Sequence, residues 1–229
     1  MSALKILVIL TSHAALGASG HPTGLWFEEL ATPYYAFVDA GAEVEIASVA
    51  GGKVPIDPRS LAQAPRSKSV ERFLADPKAM DKIEHTTPVG KEALGDYAAV
   101  FLPGGHGTMW DLPDSAPLKN LLGEAWARGR VVGAVCHGPA GLVNVTDASG
   151  QPIVRGRRVA GFSNAEETAA GLDKDVPFLL ETRLRGLGAH YESGPNFQSF
   201  AIRDGKLVTG QNPASSEAVA KLVLQAVTQ

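Results

Sequence analysis

The sequence predicts an α/β fold built on a doubly wound, mostly parallel sheet sandwiched by helices. Leu4 to Thr11, Ala98 to Leu102 and Arg130 to Val135 are largely aliphatic runs, the composition required of strands covered on both faces. These runs alternate along the chain with segments of helical period, which implies right-handed crossovers between parallel neighbours.

The first strand, Leu4 to Thr11, is followed by Leu30, Tyr34, Phe37 and Val38 at helical spacing, a run that stops at Gly41. Thr32-Pro33 offers an alternative opening for the regular helix one turn later. Ala42 to Ser48 alternates in polarity and supplies a second strand. From Gly51 to about Gly95 the composition turns to Pro, Asp, Lys, Arg and Ser, so this stretch reads as an excursion with a short helix, fit to be a lid or a partner surface. Ala98 to Leu102 is the third strand. Asp114 or Ser115 caps a helix through about Arg128, and Arg130 to Val135 is the fourth strand. Beyond it, Gly138 to Val143 and Phe178 to Leu187 read as helical. Arg158 to Gly161, Ala189 to Glu192, Phe200 to Arg203 and Leu207 to Thr209 are short strand candidates. Asn212-Pro213 opens a last helix with Val219, Leu222, Val223 and Ala226 on one face.

The 229 residues fit one large domain spanning 1–229, with the excursion at about 51–95. The 21 basic and 24 acidic residues are interspersed, so neither nucleic acid nor an anionic membrane finds a basic footprint. The only cysteine is Cys136. That excludes an intramolecular disulfide and a multi-cysteine metal site and favours a reducing, cytoplasmic setting. The N-terminal apolar run is too short for a bilayer and lacks a cleavage pattern. Asn144-Val145-Thr146 matches a glycosylation sequon that has no use without secretion.

Cys136 follows the fourth strand and begins Cys136-His137-Gly138-Pro139-Ala140-Gly141, a strand-to-helix turn like a nucleophile elbow. Ala134 replaces the first glycine of that spacing and Gly138 fills the second. Unpaired amides at a helix start favour an anion, so a thiol pKa below the ordinary value of about 8.5 is expected there. His137 is a candidate proton carrier. Pro103-Gly104-Gly105-His106-Gly107 follows the third strand but has Trp110 where a dinucleotide fingerprint needs glycine. Its better reading is an oxyanion hole from the Gly105 amide with that of Cys136 or His137.

With strands ordered 2-1-3-4, the carboxyl ends of strands 1, 3 and 4 border one crevice. Trp26-Phe27-Glu28-Glu29, Gly105-His106 and Cys136-His137 meet there, making Trp26, Gly105 and His106 candidates for binding substrate. A buried carboxyl group beside the thiol would have a raised pKa and could shuttle its proton. Either Glu28 or Glu29 can fill that place.

The sequence resembles the ThiJ/PfpI superfamily, in its branch of heat-shock chaperones and glutathione-independent glyoxalases (glyoxalase III). The resemblance is carried by Leu10-Thr11-Ser12, Thr23-Gly24 with Glu29 and Pro33, Gly105-His106-Gly107-Thr108 and Ala134 through Ala140. It continues through Gly161-Phe162 with Glu167-Thr168 and Leu207 through Ser215. It implies a flavodoxin-like, class I glutamine amidotransferase-like sandwich, usually a homodimer. It also implies a catalytic Cys136 with His137 and selects Glu29, which stands four residues before Pro33. The acidic residue supporting the histidine falls on Glu167, with Glu166 left open.

The implied reaction is cofactor-independent conversion of methylglyoxal, or a related small reactive carbonyl, to a 2-hydroxy acid through a Cys136 hemithioacetal. Cysteine hydrolases of the same superfamily are one alternative. An amidotransferase would use a late His-x-Glu pair such as His190-Tyr191-Glu192. A holdase for unfolded clients or a redox sensor is the non-enzymatic alternative. No metal site is expected, because His13, His21, His85 and His106 lack compact ligand spacing.

Overall fold

The computed structural model describes residues 4–62 and 65–229. Its central sheet comprises β1 (Lys5–Leu10), β2 (Glu43–Ser48), β3 (Thr87–Pro88), β4 (Ala99–Leu102), β5 (Val131–Val135), β6 (Ala201–Asp204) and β7 (Leu207–Gly210). The strands lie in the order β6-β7-β5-β4-β1-β2-β3. All neighbours are parallel except β6 with β7, which form an antiparallel hairpin. The predicted sandwich is therefore the fold, and the order in which successive strands are added switches sides between β1 and β4, where such sheets open a crevice at their carboxyl ends.

Around the sheet pack α1 (Phe27–Asp39), α2 (Pro58–Ala62), α3 (Lys68–Leu74), α4 (Pro77–Glu84), α5 (Thr108–Asp111), α6 (Ala116–Ala127), α7 (Asn164–Ala170), α8 (Leu180–Gly186) and α9 (Ser216–Val227). Strand alternation splits the core between two faces. Ile6, Val8 and Leu10 of β1 pack with Phe27, Leu30 and Phe37 of α1 and with Val219 and Val223 of α9. Leu7 and Ile9 turn the other way, toward Leu118 and Leu122 of α6. Each such fully buried side chain contributes about 1.5–3 kcal/mol of transfer free energy, so β1 is anchored from both sides.

Helix α1 starts at Phe27 and runs through Pro33 rather than beginning after it. Pro33 lacks the amide that would bond the Glu29 carbonyl, and burial of Phe27, Leu30, Tyr34 and Phe37 along one face holds the helix together.

Among its described residues, the 51–95 stretch carries three α-helices and a 3-10 turn at Val89–Lys91 rather than one short helix. Ser67 caps α3, and Asp76 caps α4 with Pro77 in its first turn, which are ordinary start signals. Phe73 of α3 meets Phe27, Tyr34 and Tyr35 edge-on. The stretch then returns to the sheet as β3, beside β2.

The candidate strands around 158 and 190 pair with each other, Arg158–Val159 with His190–Tyr191, outside the main sheet. Gly138–Leu142 is a 3-10 helix, not an α-helix.

Candidate active site

Cys136 stands directly after β5 with φ +60, a left-handed conformation that costs a non-glycine residue about 1–3 kcal/mol. The sheet helps hold it there, because its amide donates to the Gly210 carbonyl at 2.9 Å. That bond removes the Cys136 amide from the expected pair of oxyanion donors. The Gly105 amide interacts with the sulfur instead. Gly105 has φ +97, and a Cβ on it would lie 2.3 Å from the Gly24 carbonyl oxygen. Only glycine brings this amide so close. At Gly138 a Cβ would lie 2.1 Å from the Leu102 carbonyl oxygen, so the turn after Cys136 fits only against the end of β4.

His137 is fully buried, between the rings of His106 at 4.2 Å and Phe162 at 4.4 Å. Its Nδ1 lies 3.3 Å from Cys136 Sγ and its Nε2 lies 2.7 Å from Glu167 Oε2. The other carboxylate oxygen, Oε1, accepts from His106 Nε2 at 2.8 Å. Burial alone would raise the Glu167 pKa, but the two imidazoles outweigh it and hold the carboxyl well below its ordinary range. A carboxylate accepting from Nε2–H leaves His137 Nδ1 as the acceptor facing the thiol. Burial and the neighbouring His137 push His106 down to about 4, so it is neutral near pH 7. Arg59 Nη2 donates toward His106 Nδ1 at 3.4 Å, which is consistent with the His106 proton being on Nε2.

Glu166 and Glu167 are both buried but face different partners. Glu166 closes a capping box with Ser163 at the start of α7 and accepts from the Phe197 amide and Asn212. Glu167 alone reaches His137. Likewise Glu28 is taken up by Thr32 and Ser67, whereas Glu29 is fully buried against Cys136. Glu29 Oε2 accepts from the Gly104 amide at 2.7 Å. Its Oε1 has no partner of good hydrogen-bond geometry, although the carboxyl and the Cys136 thiol lie close enough to alter each other's titration.

Desolvation raises Glu29 to about 8, so near pH 7 it holds a proton. The Cys136 thiol is also pushed up, by burial and by any charge on Glu29. The expected low thiol pKa is therefore not what these surroundings favour. The following helix is a five-residue 3-10 turn, and burial opposes the charge.

These groups open onto a cavity of about 310 Å3 lined by Trp26, Gly105, His106, Cys136 and His137, with Glu29 and Glu167 buried behind them. All seven candidate residues thus come together. Arg59, Phe162, Phe197 and Asn212 also line the cavity, beyond the candidates the sequence offers. The Ser163-x-x-Glu166 capping box was a legible start signal for α7, but nothing local marks Arg59 or Phe197.

The histidines are less scattered than expected. His106, His137 and Glu167 bring three potential ligand atoms within 4.8 Å of one another. The same atoms already bond one another, and a cation there would require His106 to turn an N–H toward Arg59. By contrast, His13 stacks on Trp110, His85 bonds Asp81, and His21 is exposed. The His190-x-Glu192 pair assembles no triad: His190 is exposed and Glu192 pairs with Arg158. In the 51–95 stretch Val70, Phe73, Ile83 and Val89 point inward. Phe197 is the large hydrophobic residue exposed among the described residues, so the apolar surface expected of a holdase does not lie in that stretch.

A cysteine on a strained strand-end turn, backed by a histidine and buried carboxyl groups, places the chain among α/β proteins that present a thiol at a nucleophile elbow. The DJ-1/PfpI family model matches residues 26–226, and the chain belongs to that family. Over 96% of both chains it is 34% identical to the glutathione-independent glyoxalase HSP31 of Saccharomyces cerevisiae. The solved structure of glyoxalase III from Candida albicans superposes with a TM-score of 0.89 at 27% identity, covering 97% of each chain. The Rapid Encystment Protein 24 KDa of Francisella tularensis superposes with a TM-score of 0.94 at 41% identity, covering 98% of this chain and 99% of that one. Among the described residues, no helix is long and apolar enough to cross a membrane.

Proposed function

We propose that the protein is a cofactor-independent glyoxalase that converts methylglyoxal or a related 2-oxoaldehyde to a 2-hydroxy acid. The observation that carries this reading is the contact of one thiol with two proton carriers, His137 at 3.3 Å and the protonated Glu29. An aldehyde needs both a nucleophile and proton transfers on either side of its carbonyl carbon. Full-length likeness to named glyoxalases supports the same reaction.

The Cys136 proton passes to His137 Nδ1 while sulfur adds to the aldehyde carbon. Glu29 gives its proton to the new oxyanion, near the Gly105 amide, and a hemithioacetal results. The Glu29 carboxylate then removes the hydrogen from that carbon as protonated His137 donates to the ketone oxygen, giving an enediol. Glu29 returns the proton to the former ketone carbon, and His137 takes one from the hydroxyl beside sulfur. The product is a thioester isomeric with the adduct. Water, deprotonated by the Glu29 carboxylate, attacks the thioester carbonyl and the C–S bond breaks, while protonated His137 returns its proton to sulfur and restores the thiol. Glu167 keeps the His137 proton on Nε2 and stabilises the imidazolium.

Arg59, from the 51–95 stretch, borders the cavity, which supports reading part of that stretch as its lid. The lone buried cysteine supports a reducing, cytoplasmic setting, and the family resemblance supports a homodimer.

The test is a panel of 2-oxoaldehydes, amides, peptides and isonitriles assayed without added thiol or cofactor. Lactate from methylglyoxal is the expected product. Turnover of amides or peptides without 2-oxoaldehydes would overturn the reading in favour of a hydrolase.

A further inference from the structure

The cavity exceeds what methylglyoxal, with five non-hydrogen atoms, would fill: its volume of about 310 Å3 lies at the lower end of the range for sites that hold drug-sized ligands. Cys136, His137 and Gly105 supply the reacting end of its lining. Much of the rest is apolar: Trp26, Phe162, Phe197, Pro213 and Ala214.

Phe197 is the unusual member. It shares with Cys136 alone, among the described non-glycine residues, a positive φ, here +58. The residue is also 52% exposed. A strained backbone and an aromatic ring held toward water both oppose stability, so the surroundings must impose the arrangement. Its amide donates to buried Glu166 Oε1 at 2.7 Å. Asn212 Nδ2 donates to the same oxygen at 2.8 Å and to the Gln198 carbonyl at 2.7 Å. The ring lies 6.3 Å from that of Phe162, which packs 4.4 Å from His137. Aromatic surface therefore runs from the cavity mouth to the imidazole.

We propose that Phe197, with Phe162 and Trp26, forms a subsite for the apolar substituent of a bulky 2-oxoaldehyde, so that an aryl glyoxal is preferred over methylglyoxal. The inference rests on the glyoxalase reading for its reaction, which is unchanged at the dicarbonyl end, but not for binding. Phe197 is the specificity-determining residue, because its fixed backbone presents the ring without further ordering when ligand arrives.

Initial rates with phenylglyoxal and methylglyoxal test this in the wild type, Phe197→Ala and Phe197→Tyr. In the wild type kcat/KM should favour phenylglyoxal by about tenfold or more. That preference should fall at least about fivefold in Phe197→Ala, mainly through KM, and persist in Phe197→Tyr. No wild-type preference, or equal losses on both substrates in Phe197→Ala, overturns the proposal.

A binding measurement separates this from the reaction itself: protection of Cys136 from iodoacetamide by acetophenone compared with acetone. Acetophenone should protect the wild type at about tenfold lower concentration, and Phe197→Ala should lose that advantage. Equal protection by the two ketones overturns the subsite whatever the reaction. Selective protection without turnover of either glyoxal overturns the glyoxalase reading and leaves the subsite standing.

Discussion

The carboxylate of Glu167 lies 2.7 Å from Nε2 of His137 and fixes which nitrogen of that ring faces the only thiol in the chain. A helix that begins more than two dozen residues after Cys136 thereby sets the protonation geometry of the turn.

Replacing Glu167 with Gln should lower kcat on methylglyoxal about 10²-fold or more, because an amide can present its N–H to His137 and reverse the ring's tautomer. The loss should appear in kcat more than in KM, with an unchanged circular dichroism spectrum. A fall of less than about threefold would remove Glu167 from the proton path.

Glu29 should give the proposed reaction an alkaline limit. Its pKa of about 8 in the folded protein, against an ordinary 4.5, means that the proton needed for the first step is lost above that range. A pH profile of kcat/KM should fall above about 8, and Glu29→Gln should remove this limb while lowering the rate about 10²-fold. Stability follows the same sign. The folded state holds a proton that the unfolded chain releases between about 4.5 and 8, so the associated stabilisation is full below that window and lost as pH rises through it. Urea unfolding should show the wild type losing stability relative to Glu29→Gln across that window; parallel curves would contradict it.

His137→Ala should abolish turnover, whereas His190→Ala should leave it within about twofold, the range expected of a surface change. The ring of His190 is exposed beside Arg158, and Glu192 is paired with that arginine. Loss of activity in His190→Ala alone would restore the amidotransferase-like arrangement.

Gly138→Ala should be costly without touching the chemistry of any side chain. Its Cβ would fall 2.1 Å from the Leu102 carbonyl oxygen, and relief requires moving the Cys136 turn away from β4. A loss of about 1–3 kcal/mol is expected in thermal or denaturant unfolding; an unchanged midpoint would contradict the close approach.

The sheet was legible because its central strands are aliphatic throughout, and the site was legible where it follows those strands. Cys136 and Gly105 announce themselves by residue type and position. Glu29 and Glu167 do not, since each has an acidic neighbour in sequence and only burial separates them: Glu28 goes to Thr32 and Ser67, and Glu166 to the α7 cap. The thiol's charge state is not legible locally, because the chain after Cys136 forms a short 3-10 turn rather than an α-helix and the desolvation of Cys136 depends on packing from several elements. Arg59 and Phe197 reach the cavity from segments whose local sequence carries no ligand signal.

The most direct measurement is mass spectrometry of the acid-quenched enzyme during turnover of methylglyoxal. The Cys136 peptide should gain the mass of one methylglyoxal, shared by the hemithioacetal and the isomeric thioester. The gain should disappear when substrate is exhausted, and Cys136→Ala should form no lactate. Lactate formed by Cys136→Ala at the wild-type rate, with Cys136 unmodified in the working enzyme, would contradict the account.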